Sequence, residues 1–540
     1  MIRKLGFYFV FIVLAACDGE QQLTNVEAGT RDQILYVNNG AEPEDIDPHI
    51  TTGQQEAYIQ WSLFEGLVAK DPITLEPVPG MAESWEVSDD LTHYTFHLRD
   101  DALWSNGDPL TAQDFVYSWN RSLAPGLASE YAYMLYVVKN AAAYNRGEIT
   151  DFSMVGVKAL DNTTLEVTLE APTPWFLQLL DHNSAYPVHR KTIESRGKFD
   201  QRGTGWTRPE YFTGNGPFHL KEWIPNKVLI IEKNPYYWDA ENVRLNEIHF
   251  YPIDNKQTEE RMFRTGQIHM TLDGRILTDK IEVYVREQPD HIRISPYLGI
   301  YYYLFNTTRP PFDDVRVRLA FSMAIDRQSV TDNVVKGGRS PAFAFTPPDT
   351  AGYTPEPYIQ YDQEQAKKLL AEAGYPDGAD FPPVELLYNN GSGHQALATA
   401  LQQMWKSVLN VDVTLVNQEW LVYLNSRSNG DFDIARAGWL ADYADPNNFL
   451  NLFVTGGGNN HTGWANAEYD NLIDQTNQTI DMQQRYELFQ RAETILLQHS
   501  PIVPVYYEAS VNLVNPDVKE FHNNVLTYYP FKHVYLSEDE

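Results

Sequence analysis

Arg436 and Asp442 stand six residues apart in ARAGWLADY, residues 435 to 443, directly after the apolar FDI. A strand beginning at FDI would put Arg436, Gly438, Leu440 and Asp442 on one side of the chain. Two opposite charges would then share a surface, with free backbone between them. The chemistry open to such a pair is recognition of a guest with charges of its own. Taken alone, an Arg and an Asp so placed are more often a surface salt bridge.

Chemistry of bond making is harder to find. No GxSxG elbow occurs: GSG at 391–393 is incomplete, and GGGNN at 456–460 lacks the lysine of a phosphate loop. No HExxH is present, and one cysteine among fourteen scattered histidines leaves no Cys/His ligand spacing. Asp313 and Asp314 read as a helix start rather than a catalytic pair. Sequence does not exclude a glycosidase with two remote carboxylates. No metal or other cofactor is expected.

The elements around the pair alternate. Asp362 is placed to cap a helix, with Gln365 reaching back, Ala366, Leu369, Leu370 and Ala373 as its apolar stripe and Gly374 as its stop. VELLYN follows as a strand, then a helix from about Gln395 to Leu409, the strand VDVTLV, a short helix near Trp420 to Ser426, and FDIARAGW. That order predicts an α/β lobe with a largely parallel sheet and sets ARAGWLADY at the carboxyl end of a strand, where ligands of open α/β sheets collect. Earlier in the chain THYTFHLRDDALW, NTTLEVTLE and VLIIEKNPYYW alternate apolar and polar residues as half-buried strands do, with turns at SNGDP and TGNGP.

A chain of 540 residues exceeds one hydrophobic core, so two or three lobes are expected. Its 73 acidic against 41 basic residues give a net charge of −32, which argues against nucleic acid and favours a neutral, zwitterionic or cationic partner. Aromatic residues make up 13% of the chain, enough to raise the expectation of aromatic-lined pockets beside ordinary core packing. Arg3 and Lys4 precede an apolar run, Leu5 to Ala16, that is too short to span a bilayer and of the right size for a secretory signal. The run ends in LAAC, and Cys17 is the sole cysteine. This resembles the lipobox of bacterial lipoproteins, whose cysteine is acylated and becomes the new N-terminus. Asp18 resembles the residue that retains enterobacterial lipoproteins at the inner membrane. Loss of residues 1–16 removes two positive charges from −32 and leaves −34. With no second cysteine, packing alone must stabilise the fold.

Four stretches then point to one family: AESWEVSDDLTHYTFHLRDDALWSNGDPLTAQDFVYSW (82–119), GNGPFHLKEW (214–223), YYYLFNTTRPPFDDVRVRLAFSMAIDR (301–327) and NQEWLVYLNSRSNGDFDIARAGWLADYADP (417–446). They resemble the oligopeptide-binding proteins of bacterial ABC importers, extracytoplasmic solute-binding proteins of family 5, including the murein-tripeptide branch. The resemblance covers almost all of the mature chain. It implies an α/β, periplasmic-binding-protein-like, two-lobed fold with an additional domain and two crossover segments forming a hinge. The expected boundaries are a lipoprotein signal peptide at 1–16, a tether at 17–32, lobe I from 33–64, 190–298 and 510–540, an extra domain II at 65–189 and lobe III at 299–509.

The resemblance implies that Asp442 takes the α-ammonium of a short peptide and Arg436 the carboxylate of suitably long ones. Gly438, Trp439 and Leu440 would supply a strand edge between them. A free peptide is a zwitterion with a backbone in need of hydrogen bonds, and a receptor indifferent to side chains must bind those common parts. With its amine at Asp442 the peptide would run antiparallel to this strand. Arg427 and His394 resemble alternative carboxylate partners, and Thr52, Gly53 and Gln54 match the segment that pairs with the ligand's other edge. Trp439, Trp420, Tyr131, Tyr297 and Tyr302 match or lie near pocket walls, each as readily core as pocket. One departure is Val335, where relatives carry a carboxylate-binding lysine; Lys336 stands beside it. The expected protein is a monomer in the periplasm, anchored to the inner membrane through lipidated Cys17, that binds short peptides, neither nucleic acid nor a reacting substrate, and delivers them to an inner-membrane ABC permease. A murein tripeptide or another small solute is the alternative cargo. A secreted peptidase or glycosidase is the alternative from another class.

Overall fold

The computed structural model describes residues 23–272, 274, 276–390 and 393–538. The apolar leader and Cys17 lie outside them. No helix of the described residues is long and apolar enough to cross a membrane.

Three sheets carry the architecture. A five-stranded sheet runs in the order Met270–Thr271, Ile34–Asn38, Glu247–Tyr251, Val228–Lys233, Phe218–Ile224. A four-stranded antiparallel sheet is built from Ala82–Val87, His93–Leu98, Thr164–Thr168 and Val157–Ala159. The third, six-stranded, has the order Ser340–Pro341, Ile502–Leu513, Ile292–Phe305, Ile434–Leu440, Val384–Asn389, Val413–Gln418. Strand periodicity fixes which residues enter which core. Along Ile292–Phe305, Leu298, Ile300, Tyr302 and Leu304 join one buried cluster, and Tyr301, Tyr303 and Phe305 join the cluster on the opposite face. The helix His394–Leu409 covers the second face with Leu397, Leu401 and Trp405, whose indole N–H donates to the Phe321 carbonyl at 2.9 Å. Met482–His499 covers the first face with Phe489 and Leu496.

Ile292–Phe305 and Ile502–Leu513 are the two segments that cross between lobes. They pair antiparallel from Ile292 opposite Leu513 to Leu304 opposite Ile502, with register shifts between Pro296 and Ile300 and at Tyr301/Tyr302. Pro296 has no N–H to give to a ladder, which suits the bulge. Ile292, Val511 and Leu513 pack with Phe263 and Ile268 beside the five-stranded sheet, to which Met270 and Val514 add a bridge. The other ends of both strands lie at the centre of the six-stranded sheet. The fold is thus two-lobed, of the periplasmic-binding class.

Several sequence expectations hold in detail. Asp362 accepts the Gln365 N–H at the start of Gln363–Glu372, Ala366 and Leu370 are buried, and Gly374 follows at φ 105°. Asp314, half of the acidic pair, caps Val315–Met323. Two expectations need correction. The six-stranded sheet is mixed rather than largely parallel, because the central crossover strands form antiparallel pairs; only Val384–Asn389 pairs parallel with both its neighbours. The polar leader drawn to residue 32 gives way at Asn25–Asp32 to a helix with a Thr24/Glu27 capping box. Val26 is buried there, and Thr30 donates to Asp517 at 3.2 Å.

Candidate functional site

The strand Ile434–Leu440 organises the site. One edge pairs along its whole length with Ile292–Phe305, from Ile434 opposite Phe305 to Leu440 opposite Gly299. The other edge pairs with Val384–Asn389 only at Ile434 and Ala435, so among the described residues it is open from Arg436 onward. Ala441 N–H donates to the Leu298 carbonyl at 2.8 Å and sets the phase of the ladder. By the alternation of antiparallel pairs, the N–H and C=O groups of Gly438 and Leu440 face the open edge. The Arg436 carbonyl on that edge is taken by the Tyr423 hydroxyl. Gly438 and Leu440 are exposed, the latter by 40%.

The two charges flank this edge but do not share one flat surface. The strand ends at Leu440 and the chain bends at Asp442. Arg436 keeps the strand's orientation beside Tyr301, and Asp442, past the end of the ladder, lines a different cavity. Period two governs side-chain placement only as far as the ladder continues.

Arg436 and His394 line a cavity of about 410 Å³ with Tyr301, Val335, Arg339, Tyr506 and Glu508. The Arg436 guanidinium stands 4.9 Å from the Tyr301 ring centroid. Its Nε is buried without a hydrogen-bond partner, and no carboxylate pairs with it among the described residues. His394 opens its helix, with Nδ1 3.1 Å from the Tyr301 hydroxyl. The Glu508 carboxylate is held by Arg339 at 3.0 Å. Val335 faces this cavity, whereas Lys336 turns to Glu282 at 3.1 Å.

Asp442 lines a second cavity, of about 380 Å³, shared with Thr52, Gly53, Gln54, Tyr131, Tyr297 and Leu440. Its carboxylate has no cationic partner among the described residues. Burial pushes its pKa up to about 6, against hydrogen bonding from Asn448, Tyr133 and Tyr131. The Tyr133 hydroxyl donates at 3.5 Å. Gly53 is the N-cap of Gln54–Leu63, with the first-turn carboxylate of Glu56 beside it, so that helix begins at the same space. Lys70 and Asp181, 2.9 Å apart, line it too, beside His182, which burial drives down to about 3 and so keeps neutral.

The remaining candidates are dispersed around these cavities. Arg427 lies on Trp420–Asn429, 5.5 Å from the Tyr423 ring centroid. Trp420, 45% exposed, stacks on Tyr423 from the same helix at 5.7 Å. The Trp439 indole N–H donates to Asn448 at 2.7 Å. Tyr302 is buried among Phe345 and Phe453. It is a core residue, because its place in the strand directs it away from both cavities.

Sequence reading missed Tyr133 and Asn448 beside Asp442, Tyr301 under Arg436, and the Lys70/Asp181 pair. Tyr301 had a local signal in YYYLF. Asn448 lies six residues after Asp442, but nothing in ADYADPNNF marked it; Tyr133 and the Lys70/Asp181 pair come from segments remote in sequence, which no spacing could have joined. No group of three or more His, Cys, Asp or Glu side chains among the described residues is placed to hold a metal. A carboxylate and a guanidinium without an ionic partner among the described residues, at the two ends of an open strand edge, can bind a guest with a cationic end, an anionic end and an amide backbone.

The model of the bacterial extracellular solute-binding proteins, family 5 Middle, matches residues 76–461. The periplasmic oligopeptide-binding protein OppA of Escherichia coli K12 is 41% identical over 495 residues, covering 90% of this chain and 89% of that protein. Among solved structures, the unliganded open form of MppA, a periplasmic murein tripeptide-binding protein, superposes with a TM-score of 0.81 at 37% identity, over 94% of this chain and 97% of that one. The Haemophilus influenzae OppA complex with the peptide RPPGFSPFR superposes with a TM-score of 0.77 at 35% identity, over 94% and 99%.

Proposed function

Because this chain belongs to family 5 of the bacterial extracellular solute-binding proteins, we propose that it captures short peptides in the periplasm by their termini and backbone and passes them to an ABC importer. The observation that carries this reading is the open edge at Gly438 and Leu440 between a carboxylate and a guanidinium that have no ionic partner among the described residues. A peptide laid along that edge completes the ladder by β-augmentation. With its ammonium on Asp442 and its carboxylate towards Arg436, it runs antiparallel to Ile434–Leu440. Arg436, Arg427 and His394 provide cations at different depths for different lengths. Thr52, Gly53 and Gln54 meet the peptide's far side. Specificity for side chains is low because the contacts made are common to all peptides.

The chain performs no chemistry on its cargo in this reading, since both charged groups act only by binding. Cys17 carries the lipid that tethers the protein, a monomer, to the inner membrane. Lobe I, the extra domain and lobe III take the boundaries expected from sequence, and the crossover strands act as the hinge on which the lobes close.

Calorimetry with free and N-acetylated trialanine tests the polarity. Blocking the amine should cost about 2–5 kcal/mol, the range for truncating one partner of a buried charge pair. Equal affinities overturn the assignment of Asp442. The likeness to a murein tripeptide-binding protein favours one second reading, a cell-wall tripeptide as preferred cargo. Competition between such a tripeptide and trialanine separates the two.

A further inference from the structure

The cavity around Asp442 contains more charge than a receptor for peptide termini needs. Lys70 and Asp181 lie in its wall 2.9 Å apart, with side chains only 9% and 3% exposed. They are not equivalent. Asp181 takes Lys70 on one oxygen and the Tyr186 hydroxyl on the other, at 3.4 Å. Lys70 has three N–H donors. One faces Asp181, and the ammonium stands 5.3 Å from the Tyr528 ring centroid; no other acceptor among the described residues meets its side chain. A desolvated ammonium with donors to spare calls for an acceptor from the cavity.

The helix Gln54–Leu63 starts at the same cavity, and Glu56 in its first turn places a carboxylate beside the Gly53 N-cap, so the positive end of that helix is already compensated. His182 stays uncharged, which leaves Lys70 as the cation of this wall. Space is also available. Lys70 and Asp442 line one cavity of about 380 Å³, so a side chain whose own α-ammonium sits on Asp442 enters the space that Lys70 borders. A second chamber of about 620 Å³ shares Trp61, Lys70, Asp181 and Tyr528 as its wall, so Lys70 stands between two cavities.

We propose that Lys70, seated on Asp181, is a specificity determinant that favours peptides whose first residue carries an acidic side chain. This rests on the placement of the ligand ammonium at Asp442. It narrows a receptor otherwise indifferent to side chains at one position. A basic first residue is disfavoured, because its charge would meet Lys70.

The test is calorimetry on the full-length mature protein with Glu-Ala-Ala, Gln-Ala-Ala, Lys-Ala-Ala and Ala-Ala-Ala. Glu-Ala-Ala should bind tightest, on the order of tenfold or more over Lys-Ala-Ala, as expected for a charge-assisted hydrogen bond. In Lys70→Met the ratio of Glu- to Lys-peptide affinity should disappear. Since that variant leaves Asp181 buried without its partner, Lys70→Met/Asp181→Leu provides the same comparison without a stranded charge. Equal binding of the Glu and Lys peptides, or a ratio that survives in a folded variant, overturns the inference. If Ala-Ala-Ala and its N-acetylated form bind alike, the fault lies in the ammonium placement. If only the free form binds but acidic peptides gain nothing, Lys70 alone is misassigned.

Discussion

Lowering the pH from 7 to 5 should weaken peptide binding about tenfold, and the size follows from one carboxyl group. Burial holds the Asp442 pKa at about 6 in the empty protein. At pH 7 the group is therefore mostly ionised, and at pH 5 about nine-tenths protonated. A bound α-ammonium requires the ionised form, so binding at pH 5 releases a proton. One pH unit below the pKa costs about 1.4 kcal/mol. The ligand's own termini keep their charges over this range, with amine and carboxyl pKa values near 8 and 3.5. His182 also keeps its state, since its pKa is about 3.

Two neighbouring ionisable groups, His394 in the Arg436 cavity and Asp181 in the Asp442 cavity, persist in Asp442→Asn. Calorimetry of trialanine at pH 7 and 5 on wild type and variant therefore isolates Asp442 by difference. The variant should bind more weakly at pH 7 and lose the tenfold acid-side decline. Equal wild-type affinities at the two pH values, or an undiminished decline in Asp442→Asn, would refute the reasoning.

Arg436→Met should abolish the penalty of about 2–5 kcal/mol that C-terminal amidation imposes on tripeptide binding; amidation that weakens the variant as much as wild type would assign the carboxylate to His394 or Arg427. Asp442→Asn should raise the thermal midpoint of the empty protein at pH 7: a folded pKa above the unfolded value penalises the ionised form, so removing the charge stabilises above pH 6 and gains nothing below the usual 3.8. Scanning calorimetry at pH 7 and 3 checks both halves. Arg485 and Asp445 form a buried bidentate pair with bonds of 2.6 and 2.8 Å. Arg485→Met should cost about 3–5 kcal/mol in denaturant unfolding, with part regained in Arg485→Met/Asp445→Asn. A loss below 1 kcal/mol would mean that the pocket admits water.

Local signals in the sequence carried far. The cap at Asp362, the strand VELLYN at Val384–Asn389 and the strand through ARAGWL needed only periodicity and capping chemistry. What could not be read was pairing. That Ile434–Leu440 has one full partner and one whose pairing stops at Ala435, although Val384–Asn389 runs on past that point, depends on how three separate segments diverge. It is this divergence, not the residue types, that opens the edge. Tyr302 illustrates the same limit: YYYLF fixes that neighbouring tyrosines face opposite ways, but not which way leads to the cavity. The supports of Asp442 come from Tyr131 and Tyr133, some three hundred positions away, and Lys70 meets Asp181 across more than a hundred. Only the assembled lobes bring them together.

An unpaired strand edge is also a template for other chains. The empty receptor exposes Gly438 and Leu440 along such an edge, the kind of feature through which proteins self-associate. Arg436 and Asp442 stand at either end of it, and charges in those places repel an unrelated strand that arrives without complementary termini. The groups that welcome the cargo thus also guard against aggregation, so neutralising both should harm the solubility of the empty protein.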